Sequence, residues 1–92
     1  MSKATDEQAL FKAFAALRNE GEIARFLKDL ATPAEIDAFA ERWRIARMLD
    51  LGESSYREIA AETGASTTTI GRVARFLRDE KHRGYRLVLD RI

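Results

Sequence analysis

Apolar positions recur at helical spacing in five stretches of the chain, and each stretch opens on a residue able to cap a helix. Thr5-Asp6-Glu7-Gln8 has the form of a capping box, and Leu10, Ala13, Phe14 and Leu17 follow it on one helical face until Asn19-Glu20-Gly21. Asn19 and Glu22 repeat the cap pattern before Ile23, Phe26, Leu27 and Leu30. Thr32-Pro33-Ala34-Glu35 is the strongest start. Its Pro stands at the first helical position, where no N–H is needed, and its Glu closes the box. The helix behind it carries Ile36, Phe39, Ala40, Trp43, Ala46 and Leu49 and stops at Leu51-Gly52. Ser55-Tyr56-Arg57-Glu58 opens a fourth helix that Gly64 ends, and Ser66 caps a fifth carrying Ile70, Val73 and Leu77. Beyond Gly84, Tyr85, Val88, Leu89 and Ile92 fall at i, i+3, i+4 and i+7. That spacing predicts a short sixth helix, although residues 85–89 also read as a brief strand. The pattern is therefore all-α, with about six helices in a single domain over residues 1–92.

The first helix is apolar on more than one face (Leu10, Phe11, Phe14, Leu17), and so is the third (Ile36, Phe39 and Trp43; Ile45, Met48 and Leu49). Such helices need cover on several sides. A chain of 92 residues offers little of it, so a homodimer is expected. With no Cys and one His, thiolate metal sites, disulfides and His-pair zinc sites are excluded, and no cofactor is expected. No apolar run spans a membrane, and the polar start Met-Ser-Lys-Ala-Thr-Asp-Glu lacks a signal-peptide core, so the expected location is cytoplasmic.

Net charge is only +1, but it is unevenly spread. Residues 66–86 hold six basic groups (Arg72, Arg75, Arg78, Lys81, Arg83, Arg86) against Asp79 and Glu80, a local net of +4. A basic stripe of this kind is either a footprint for phosphate or a solvated helix face.

Residues 55–77 meet the requirements of a helix-turn-helix. Ala60 is small at the crossing, Gly64 suits a turn needing positive φ, and Ile59, Ile70 and Val73 fill the wedge. Ser66 leaves Thr67, Thr68 and Thr69 at the exposed start of the second helix, where free N–H groups favour phosphate and groove edges. An ordinary αα-corner with Ser/Thr capping fits the same spacing.

Thr32-Pro33-x-Glu35, Ala40-Glu41-Arg42-Trp43-Arg44-Ile45-Ala46 and the run from Arg57 to Arg72 resemble the Trp repressor family, and the ending Gly84–Arg91 resembles its YerC/YecD branch. The resemblance covers roughly residues 8–92. It implies an intertwined, all-helical homodimer whose two readers enter successive major grooves of double-stranded DNA. In the resemblance Arg57 matches an arginine that contacts the operator, and Thr68, Thr69 and Arg72 lie on the reader helix. By the geometry of a reader helix Arg57, Thr68, Thr69 and Arg72 are expected to face the major groove, with Thr67 and Arg75 nearer the phosphates. In that family two arginines sandwich the indole of L-tryptophan. The resemblance sets Arg42 and Arg72 at those positions, with Thr32 near the same pocket. Two departures stand out: Val73 replaces a glycine, and Phe76 replaces a serine at the polar end of the ligand. Added bulk and a missing polar partner argue against L-tryptophan as corepressor and leave the effector open. Arg42 and Arg72 alternatively face phosphate or pair with Glu35, Asp37 or Glu41.

The reading is thus a repressor-like, sequence-specific DNA-binding regulator. Its rival is a helical interaction module whose helix-turn-helix does not bind DNA. Enzymatic function has no support: His82 lies in the charged run Lys81-His82-Arg83, and there is no Gly-rich phosphate loop.

Overall fold

The computed structural model describes residues 2–92. Six helices follow one another: α1 (Lys3–Ala15), α2 (Glu20–Leu30), α3 (Pro33–Leu51), α4 (Tyr56–Thr63), α5 (Thr67–Arg78) and α6 (Gly84–Leu89). No strand occurs among the described residues. The chain packs as two compact units, residues 1–36 and residues 37–92.

In the N-terminal unit the first cap differs from the sequence expectation. Ser2, in extended conformation, accepts from the Thr5 N–H at 3.2 Å, so α1 starts before Thr5. The Thr5 hydroxyl lies 2.7 Å from the Ser2 hydroxyl, in the third helical position where a capping partner belongs. Asn19 caps α2 through the Glu22 N–H at 3.0 Å. The Glu22 carboxylate reaches past that cap to the Arg18 N–H at 2.9 Å, so it does not close a box on Asn19 itself. α1 and α2 contain no buried residue. Phe14 and Phe26 meet edge-on at 5.2 Å, while Phe11 is 63% exposed. At the start of α3 the expected box is complete: Glu35 N–H donates to Thr32 Oγ1 at 3.1 Å, and Thr32 N–H donates to Glu35 Oε1 at 2.8 Å. The Thr32 N–H, and then its hydroxyl, hold the Glu35 carboxyl below the usual carboxylate range.

The C-terminal unit holds the core. Ile45, Ala46 and Leu49 of α3 meet Ile59 of α4, then Ala65, and Ile70, Val73, Ala74 and Leu77 of α5. The α5 positions fall at i, i+3, i+4 and i+7, so one stripe of that helix is inside. Ile45, Ile59 and Ile70 are fully buried, each stabilising the fold by about 1.5–3 kcal/mol relative to exposure.

The chain leaves α5 through Asp79–Arg83 and enters α6, so residues 84–89 are helix and not strand. The break expected at Gly84 falls one residue earlier: Arg83 takes the left-handed conformation (φ 57°), and Gly84 opens the helix. Tyr85 and Leu89 pack on the core, whereas Val88 and Ile92, expected on the same face, are exposed. α6 is clamped by Arg86, whose guanidinium reaches Asp50 at 2.7 Å and Asp90 at 2.8 Å. Hydrogen bonding to Arg86 lowers the Asp50 carboxyl, and the two carboxylates raise the guanidinium.

Candidate nucleic-acid interface

α4 begins with a second complete capping box. Glu58 N–H donates to Ser55 Oγ at 3.1 Å, and Ser55 N–H donates to Glu58 Oε1 at 2.9 Å. That N–H, and then the Ser55 hydroxyl, hold the Glu58 carboxyl below its ordinary range. The box fixes the turn on which Arg57 stands exposed.

The connection to α5 is three residues long. Gly64 adopts φ 76°, ψ 0°, and its N–H donates to the Ala60 carbonyl at 2.9 Å. The Thr63 hydroxyl donates to the Ile59 carbonyl at 2.7 Å and accepts from the Ala65 N–H at 3.1 Å, which satisfies the backbone at the turn. Ala65 is buried beneath it. Ser66 then caps α5: its hydroxyl accepts from Thr69 N–H and donates to Thr69 Oγ1, both at 3.1 Å. Thr67 and Thr68 are exposed at this helix start, and Thr69 is half-buried.

The core stripe leaves Thr68, Arg72 and Arg75 on the solvent side of α5, at i, i+4 and i+7. Gly71 lies between them with nothing within 4 Å of where a Cβ would stand, so the backbone is open to approach there. Of the six basic groups in residues 66–86, Arg75 meets Glu80 at 3.5 Å and Arg86 is held by Asp50 and Asp90. Arg72, Arg78, Lys81 and Arg83 form no ion pair among the described residues. Arg72 Cζ instead stands 4.5 Å from the Phe76 ring centroid, and Arg75 Cζ stands 5.1 Å from the same ring.

Behind this face lies a largely apolar cavity of about 460 Å³, lined by Trp43, Arg72, Val73, Phe76, His82, Gly84, Tyr85 and Val88. Three sequence-selected effector residues meet here: Arg72, Val73 and Phe76. Arg42 is engaged elsewhere, with its Cζ 5.3 Å from the Phe39 ring and its Nε donating to the Ala38 carbonyl at 3.4 Å. Thr32 is committed to the cap of α3. The carboxylate partners considered for Arg42 and Arg72 (Glu35, Asp37, Glu41) form no ion pair with either; both guanidinium groups lie over rings.

Sequence reasoning missed Trp43, Tyr85 and His82 as cavity walls. Trp43 stacks on Tyr85 at 6.4 Å, and His82 stacks on Phe76 at 6.4 Å with 9° between the planes. The Arg72-to-Phe76 step of four residues is a legible helical pair, whereas His82 arrives only through the turn after α5. Among the described residues no group of His, Asp or Glu is arranged to hold a metal, and no helix is long and apolar enough to cross a membrane.

Comparison with known proteins agrees with this architecture. A TrpR-like protein from Eubacterium eligens ATCC 27750 superposes with a TM-score of 0.86 at 37% identity, covering 97% of this chain and 90% of that one. A crystal structure of a proposed Trp repressor from Staphylococcus aureus gives 0.82 at 38% identity, covering 99% of this chain and 87% of its own. The uncharacterized protein YerC of Bacillus subtilis (strain 168) is 43% identical over 83 residues, which is 90% of this chain and 78% of YerC. Residues 5–92 match the family model described as Trp repressor protein, a family of regulators and not of enzymes. With almost its whole length matched and all six helices in place, the chain belongs to the Trp repressor family.

Proposed function

We propose that this protein is a sequence-specific, repressor-like DNA-binding regulator that acts as a homodimer in the cytoplasm. The observation that carries this reading is the α5 face. A capped, exposed helix start bearing Thr67 and Thr68 runs into the row Thr68, Arg72 and Arg75, and the opposite stripe of the same helix is anchored in the core. The first residues of such a helix reach base edges, and residues a turn later reach the backbone. In this reading Arg57, Thr68, Thr69 and Arg72 face the major groove, and Thr67 and Arg75 meet phosphate.

Dimerisation is supported by the apolar surface each chain leaves uncovered. α1 has no fully buried residue, and Phe11, Phe14, Ile23, Leu30 and Phe39 are all exposed. L-Tryptophan is not the corepressor in this reading. Val73 is 1% exposed and belongs to the core, and the Phe76 ring takes up the Arg72 guanidinium without offering a polar partner to an amino acid.

Selection of bound sequences from random double-stranded DNA, paired with sedimentation of the free protein, tests the proposal. The expected outcome is a palindrome with half-sites about 34 Å apart and affinity that falls linearly in log–log with salt. A stable monomer, or no salt-dependent binding to any duplex, overturns it in favour of a helical interaction module.

A further inference from the structure

We propose that Phe76 is a positioning residue for the DNA interface: its ring is a platform that sets the Arg72 and Arg75 guanidinium groups before DNA arrives. The inference rests on the DNA-binding reading above. Its ground is the convergence of two cations on one half-buried ring, at 4.5 Å and 5.1 Å from the centroid, with that ring stacked in turn on His82.

An arginine side chain is long and loses rotamer freedom when it is fixed on a partner. Holding it with a carboxylate consumes its donors and cancels its charge. Holding it with a ring does neither. The attraction is between the cation and the π-face, so the five N–H groups stay available for phosphate oxygens. Arg72 is held by the ring alone, with no carboxylate partner among the described residues. Arg75 is held by the ring and also meets Glu80 through Nε at 3.5 Å. The ring is itself fixed, because α5 is anchored by Val73 and Leu77 on either side of Phe76 and His82 stacks on it from the turn that follows. The helix that carries the ring is thus anchored in the core, and the ring carries the two guanidinium groups.

The test uses the full-length protein and the duplex selected by the wild type, with binding read by fluorescence anisotropy across a salt series. F76L removes the π-face and keeps an apolar side chain; F76Y keeps the ring. Pre-setting two side chains gives an expected loss of roughly tenfold in affinity for F76L and recovery to near wild type for F76Y. In the free protein, the δ-protons of Arg72 and Arg75 should show ring-current shifts in the wild type and F76Y that vanish in F76L. Should F76L fail to fold, F76M replaces it: an unbranched apolar side chain without a π-face, for which the same loss of affinity and of both arginine shifts is expected. A folded F76L that binds like the wild type, or unshifted arginine protons in the wild type, overturns the positioning role and leaves the DNA-binding reading standing. A wild type without salt-dependent binding to any duplex overturns both.

Discussion

Replacing Gly64 with alanine isolates what the helix-turn-helix demands of its turn. Gly64 has φ 76°, and a Cβ built there meets nothing within 4 Å. Steric clash with a neighbour therefore contributes nothing, and only backbone conformation remains. Holding an L-residue in the left-handed region costs about 1–2 kcal/mol. Alanine also narrows the unfolded ensemble, which stabilises the fold by about 0.4–1 kcal/mol where the conformation is accessible. The balance is a net loss of about 1 kcal/mol, or a fall of about 4–8 °C in Tm for a domain of this size. Gly64→Asn should lose less, since Asn enters the left-handed region more readily. Ile59→Ala, in the core beneath the turn, should lose about 2–5 kcal/mol and serves as the scale. Urea denaturation at one fixed protomer concentration measures all three, the fixed concentration removing any mass-action contribution from assembly. Gly64→Ala without loss would refute the positive φ, and a loss as large as that of Ile59→Ala would mean that a Cβ does collide there.

Four further outcomes are expected. The depressed Glu58 carboxyl stabilises the fold fully above its unfolded pKa of about 4.3, and that contribution disappears as pH falls through the lower folded value. E58Q should accordingly show a flatter acid limb than the wild type in denaturation curves; parallel limbs would refute the linkage. Ser55→Ala should cost about 1 kcal/mol through the lost cap alone. Arg75→Ala should weaken binding to all duplexes alike and reduce the salt slope by about one, whereas Thr68→Ala should relax preference at one or two base pairs with the slope unchanged. The reverse assignment of those phenotypes would show the contact map to be wrong. Calorimetric titration of L-tryptophan should give no saturable heat at sub-millimolar ligand, and a saturable signal would restore it as a corepressor.

The amino-acid sequence by itself determined the helical framework. Thr32 with Glu35, Ser55 with Glu58, and Ser66 with Thr69 are satisfied within three residues, and Gly64 ends α4 through a bond to Ala60. Interactions so short in sequence depend on residue type and spacing alone. The core stripe of α5 follows from the same helical period. The start of α1 shows the limit of this reasoning, because Ser2 and Thr5 are both competent caps and the chain uses the earlier one. Only the tertiary structure decided the rest. Arg86 meets Asp50 across 36 residues, the aromatic walls of the cavity are drawn from α3, α5 and α6, and His82 reaches Phe76 through a turn that Arg83 completes at φ 57°. Each of these depends on where the chain travels between helices, and the path is set by burial of the shared core, which no local pattern specifies. The partner of Arg72 turned on the same point: residue type alone allowed a carboxylate or the ring four residues along its own helix, and in the fold the guanidinium lies over the ring of Phe76.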